Sequence, residues 1–183
     1  MTILKIARMG HPALARIADP VVDPTAPDIR ALARDMIETM IDANGAGLAA
    51  PQVHIPLRLV VFQAPGARTD PGLSEDEMFD HTAPLTILAN PVIEVLDDSR
   101  EAGWEGCLSV PGLRGLVERP AHIRYSGTDL EGNTITRIAR GFHARVVQHE
   151  CDHLDGMLYP QRMGDLTKLI FESEARHFMQ PKD

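Results

Sequence analysis

The most chemically loaded stretch of the chain is His149-Glu150-Cys151-Asp152-His153, two imidazoles four residues apart with a glutamate directly after the first. On a helix a four-residue step returns a side chain to the same face one turn along, so both imidazoles can converge on one divalent ion. Glu150 then lies about 100° round the helix, close enough to exchange a proton with an activated water without being a ligand itself. Cys151 is two residues from each histidine, about 200° round, so it points away from an ion they share and reads as structural.

Two imidazoles do not complete a tetrahedral site with one open position, and the residues alone leave the third ligand open. One metallopeptidase pattern continues x-x-Gly-x-x-His; Gly156 is in place, but Tyr159 stands where the histidine belongs. A second pattern takes a glutamate from a following helix, here Glu172 or Glu174. The third candidate is Cys107, inside Glu105-Gly106-Cys107-Leu108-Ser109-Val110-Pro111, because a thiol loses its proton to a bound cation and Gly106 allows close backbone approach. Cys107 and Cys151 are not expected to share an ion or to form a disulfide. A further segment, Gly45 to Gln52, has the pattern of a tight turn after a helix; no Lys-Ser/Thr follows to make a phosphate loop, but the Gln52 amide can donate to an oxygen.

These residues need elements to hold them. Residues 25–43 carry Ile29, Leu32, Ala33, Met36, Ile37, Met40 and Ile41 at three- and four-residue steps, which predicts an amphipathic helix with Thr25 as N-cap and a left-handed stop at Asn44-Gly45. Strand-like runs follow at Leu57–Phe62, Leu85–Leu88, Val92–Leu96, Leu116–Val117, His122–Tyr125 and Thr134–Ile138, with a hairpin turn at Leu130–Asn133 and an exposed loop over Gln63–Ala83. A second helix is expected over 141–154, bearing the His-rich segment, and a third over 165–178. Strands lying between helices, not alternating with them, predict an α+β fold of antiparallel β-sheets packed around a central metal-binding helix, with an N-terminal amphipathic helix and a C-terminal helix.

The chain has 183 residues, of which 44% are hydrophobic, which suits one domain spanning 1–183. Its formal net charge of −8 argues against a direct nucleic-acid substrate or an anionic lipid surface. No export signal and no apolar run of membrane-spanning length is visible, and two cysteines fit a reducing compartment, so the cytoplasm is expected.

Together and in this order, Gly47-Leu-Ala-Ala-Pro-Gln52, Glu105-Gly-Cys-Leu-Ser109 and Gln148-His-Glu-Cys-Asp-His153 resemble the three signature segments of the peptide deformylases. That family removes the formyl group from the N-terminal formylmethionine of nascent polypeptides. The resemblance implies Cys107, His149 and His153 as metal ligands, Glu150 as general base and acid, and Gln52 with the Leu108 backbone N–H as donors to the formyl oxygen. It places Gly47, Glu105 and Arg114 around the peptide groove, and Phe142, Arg145 and Val146 along the methionine pocket, where Arg145 is an oddly polar occupant. It also implies ferrous iron in a bacterial, cytoplasmic enzyme, with zinc, nickel or cobalt as substitutes. Two other readings compete: a metallo-endopeptidase using Glu172 or Glu174, and a non-catalytic, metal-stabilised module that binds nascent chains or ribosomes. The mixed charges of the C-terminal segment offer a ribosome little.

Overall fold

A computed structural model describes residues 2–66 and 72–178. Helix α1 runs Pro27–Asp42, α2 runs Glu75–His81 and α3 runs Gly141–Leu154. Five strands, β1 (Gly47–Ala49), β2 (Leu59–Ala64), β3 (Ala83–Val95), β6 (His122–Thr128) and β7 (Thr134–Arg140), form an antiparallel sheet in the order β1-β2-β3-β6-β7. Three more, β4 (Arg100–Cys107), β5 (Val110–Pro120) and β8 (Leu169–Phe171), form a smaller antiparallel sheet with β5 at its centre.

Strand β2 shows why the larger sheet is covered on both faces. Its apolar run Leu59-Val60-Val61-Phe62 is fully buried, with alternate residues facing opposite ways. Leu59 and Val61 join Ile29, Ala33, Met36 and Met40 of α1 in one core, while Val60 and Phe62 join Ala144, Val147, Cys151 and Leu154 of α3 in another. A third cluster, Val110, Val117, Leu158 and Tyr159, lies beneath the small sheet. Cys151 is therefore core on the sheet side of α3, and both cysteines are free thiols.

The helix over 141–154 forms as predicted, and α1 stops at Asn44, whose φ of 53° is the expected left-handed exit. Its start differs. Thr25 is drawn into a local turn by Asp23, its N–H and hydroxyl both donating to Asp23 Oδ1, and the N-cap is Ala26 with no side-chain bond. The runs at 85–88 and 92–96 are two parts of one strand, β3, joined through a bulge near Asn90, a second left-handed residue. The expected loop over 63–83 contains α2, begun by a capping box in which Ser74 and Glu77 satisfy each other's backbone N–H; residues 67–71 of that loop lie outside the described residues.

The third predicted helix, over 165–178, is not one. Leu169, Ile170 and Phe171 pair with Phe171↔Leu113, Ile170↔Arg114 and Leu169↔Gly115 of β5, flanked by 3-10 turns at Leu166–Lys168 and Glu172–His177. Backbone hydrogen bonds offered by the free side of β5 outweigh a helix with a short apolar face. Strand β4 had no signal in the sequence because Arg100–Cys107 mixes glycine and charge without alternation. Among the described residues no helix is long and apolar enough to cross a membrane.

At the N-terminal end of α3, His143 is fully buried. Its Nδ1 lies 2.8 Å from the Asp80 carbonyl oxygen, which can only accept, so Nδ1 carries the proton and Nε2 accepts from the Tyr125 hydroxyl at 3.1 Å. Burial holds its pKa down at about 4, against 6.5 in an unfolded chain. The stability contributed by a neutral His143 is complete above pH 6.5 and is lost as pH falls toward 4, amounting to about 2 kcal/mol between pH 7.5 and pH 5. Urea unfolding at those two pH values, at one metal loading, should show His143→Gln losing about 2 kcal/mol less than the parent on acidification. Equal losses would remove His143 as the titrating group.

Candidate metal centre

Cys107 ends β4 at a two-residue turn, Leu108-Ser109, before β5. The pairing slips between Glu105↔Gly115 and Cys107↔Val110, so residues 111–114 of β5 stand opposite the single Gly106 on the β4 side, and Cys107, at the end of β4, lies against α3. There its Sγ lies 3.3 Å from His153 Nε2, and the donor atoms of Cys107, His149 and His153 all fall within 4.8 Å of one another. A thiolate and two imidazoles this close together offer a donor set suited to zinc, iron, nickel or cobalt. Glu172 and Glu174, the carboxylates of the competing ligand set, are elsewhere: Glu172 is bound by Arg114, and Glu174 is exposed beside His177. Tyr159, in the alternative histidine position, stacks on the His149 ring with centroids 6.2 Å apart.

His149 Nδ1 lies 2.8 Å from Glu105 Oε2. The carboxylate can only accept, so Nδ1 holds the proton and Nε2 is left with the lone pair a metal needs. Burial opposes charge on His149, but hydrogen bonds with Cys107 and Glu105 outweigh it and raise its pKa well above the usual histidine value. Burial and the neighbouring His149 push His153 well below that value, which keeps it a neutral donor. A cation held here would take the Cys107 thiol as thiolate and any second proton on His149 from Nε2, so metal uptake is coupled to proton release.

Glu105 was expected at the peptide groove. It does line the cavity wall, but its side chain is only 3% exposed and its oxygens are bound by Arg119 at 2.6 and 2.9 Å and by Arg145 at 2.8 Å, as well as by His149. Burial opposes its charge; hydrogen bonds from Arg119 and His149 outweigh that and hold the carboxyl well below the usual range. Arg145 also lines the wall, and its guanidinium donates to Glu105 and to the backbone carbonyls of Val117 and Glu101, at 2.9 and 2.8 Å. Arg119 and Asp152, which carry no signal in the sequence, extend the network: Arg119 Nη1 donates to Asp152 Oδ2 at 2.9 Å, and Arg162 Nη2 to Asp152 Oδ1 at 2.6 Å.

On the open side lies a cavity of about 490 Å³ whose lining includes Gly47, Gln52, Leu108, Arg114, Phe142 and Val146. Gln52 Oε1 accepts from the Ala49 N–H at 2.8 Å, which directs the amide NH₂ toward the centre, 3.1 Å from Ser109 Oγ and 3.5 Å from Cys107 Sγ. Residues 7 and 9 anchor this corner, the Ala7 N–H donating to the Gln52 carbonyl and the Met9 N–H to that of Ser109. Glu150 is buried, and burial pushes its carboxyl up to about 7; a nearby divalent cation pulls the other way. Gly47 makes room for it, since a Cβ at position 47 would sit 2.7 Å from Glu150 Cγ.

The chain is similar to known proteins over most of its length. A sequence model described as polypeptide deformylase matches residues 3–169. Peptide deformylase 1 of Bordetella pertussis is 56% identical over 178 residues, 96% of each chain. The crystal structure of peptide deformylase from Ehrlichia chaffeensis superposes with a TM-score of 0.82 at 30% identity, covering 91% of both chains. A class I type b peptide deformylase from Acinetobacter baumannii superposes at 0.75 with 34% identity, covering 88% of this chain and 100% of that one. A match that runs through the Cys/His/His cluster and over nine-tenths of the chain makes this protein a member of the polypeptide deformylase family.

Proposed function

We propose that residues 1–183 act as one catalytic unit in which Cys107, His149 and His153 hold a single divalent ion, ferrous iron in the cell, with zinc, nickel or cobalt able to replace it. The reaction is that of the family: removal of the formyl group from the N-terminal formylmethionine of nascent polypeptides, with release of formate. The observation that carries the site assignment is the convergence of a thiol from a strand end with two imidazoles from a helix, beside a buried glutamate. A divalent ion there supplies Lewis acidity and brings the ionisation of a water toward neutral pH.

The chain's own residues divide the remaining work. Glu150 takes a proton from the attacking water and returns it to the amine nitrogen, which then leaves as a neutral group. Negative charge develops on the formyl oxygen, and the Gln52 amide, already oriented by Ala49, meets it together with the Leu108 N–H. Glu105 keeps His149 in the tautomer that binds metal. Phe142 and Val146 face the methionine side chain, while Arg145 lends the pocket its stem and directs its charge into the wall. Gly47 and Arg114 border the peptide. We place the enzyme in the bacterial cytoplasm, where nascent chains leave the ribosome. Docking to the ribosome draws only weak support from the C-terminal segment, in which Lys168, Arg176 and His177 are mixed with Asp165, Glu172 and Glu174.

Three variants test these roles. Anaerobically purified protein should carry about one iron per chain and release formate from formyl-Met-Ala-Ser. Cys107→Ala should lose both the metal and the release, whereas a fully metallated, active Cys107→Ala would exclude the thiol as ligand. Glu150→Gln should keep its metal and lose about a hundredfold or more of kcat; more than a tenth of the parent rate would defeat its acid–base role. Gly47→Ala should fold and bind metal but lose about a hundredfold in kcat, because the new methyl displaces the Glu150 carboxylate. Unchanged turnover there would mean that Glu150 does not work from its observed position.

A further inference from the structure

Two charges line the cavity without a part in the chemistry above, Arg114 on β5 and Glu172 directly after β8. The β5–β8 ladder sets them side by side: Glu172 Oε1 accepts from Arg114 Nε at 3.0 Å and from Nη2 at 2.7 Å. Both remain accessible, with side chains 37% and 55% exposed. The turn that carries Glu172 is held to the same wall at a second point, where Phe178 packs edge-on against Trp104, itself a lining residue, with ring centroids 6.4 Å apart. This segment lies beyond residues 3–169, the stretch matched by the family's sequence model, although the relatives match over nearly the whole chain.

The remaining charged residues of the lining do not face the outgoing peptide: they are buried, and Glu150 belongs to the reacting end of the cavity. Glu105 and Arg145 are buried against each other, and Glu150 is buried behind Gly47. A peptide running out of the cavity therefore meets Arg114 and Glu172 as its accessible charges among the described lining residues. Alone, Arg114 would favour Asp or Glu in that peptide, and Glu172 alone would favour Lys or Arg. Paired, they cancel. An enzyme acting on nascent chains meets every kind of side chain after the first residue, so a neutral exit carries a functional advantage.

We propose that Glu172 is a specificity-determining residue: it masks Arg114, so that acidic and basic side chains following formylmethionine are accepted alike. The inference rests on the deformylase reading, and the two are separated by the substrates chosen. Formyl-Met-Ala amide carries no charge and tests deformylation itself; its failure with metallated parent protein would count against that reading alone. The ratio of kcat/KM for formyl-Met-Ala-Asp-Asp amide to that for formyl-Met-Ala-Lys-Lys amide tests the masking. At low salt the parent ratio should lie within about twofold of one, Glu172→Gln should raise it about threefold, and Arg114→Gln should lower it by a similar factor. The changes should sit in KM, shrink in 0.5 M salt, and largely cancel in the double variant. Because each readout is a ratio within one protein, a general loss of activity in either variant does not obscure it. A ratio that stays put in both single variants, or moves the same way in both, would overturn the proposal.

Discussion

A single buried carboxylate, that of Glu105, ties the site together. Removing such a group from water costs several kcal/mol unless it is paired and hydrogen-bonded on every side. Its partners are Arg119 from β5 and Arg145 and His149 from successive turns of α3, so the demand is met only when the small sheet lies against the helix. That same docking delivers Cys107, two residues after Glu105 on the same strand, to the histidines. The network's value lies in specifying one geometry, because removing any one partner leaves an uncompensated charge inside the protein.

Helix α3 serves three environments at once, and its period shows how. Ala144, Val147, Cys151 and Leu154 face the large sheet as ordinary core. Arg145, His149 and Asp152 face the small sheet and carry the ionic network. Phe142, Val146 and Glu150 face the cavity. A helix of 14 residues with almost no solvent face has no free register: a rotation of one residue would set Arg145 against Phe62 and Tyr125 and withdraw both imidazoles from Cys107. The rigidity a catalytic centre needs is thus a by-product of burying every stripe of the helix.

Arg145 lines the cavity but does not direct its charge into it. Its charge faces the small sheet, where Gly103 leaves space for it. A Cβ at position 103 would stand 2.7 Å from the guanidinium carbon. Nothing local to either residue announces that fit, because the two are far apart in the chain and meet only when β4 crosses α3.

The residue order by itself determined the chemistry and the elements with strong period. The four-residue step of His149 and His153, the glutamate between them and the apolar stripe of α1 are local patterns, and a helix converts such spacing into geometry without help from the rest of the chain. The choice among Cys107, Glu172 and Glu174 as third partner was not decidable from spacing, since it depends on which strand end folds over the helix. The helix expected over 165–178 failed for the same kind of reason: its residues found backbone partners on β5 that no local pattern could reveal. Charges such as Arg119 and Asp152, unremarkable in sequence, gained their role by being enclosed together. Local propensity sets what a segment can be, while burial and pairing across the chain set what it becomes, because the cost of an unpaired strand edge or buried charge exceeds the few tenths of a kcal/mol per residue at stake in propensity, a scale of about 0.7 kcal/mol at most for ordinary residues.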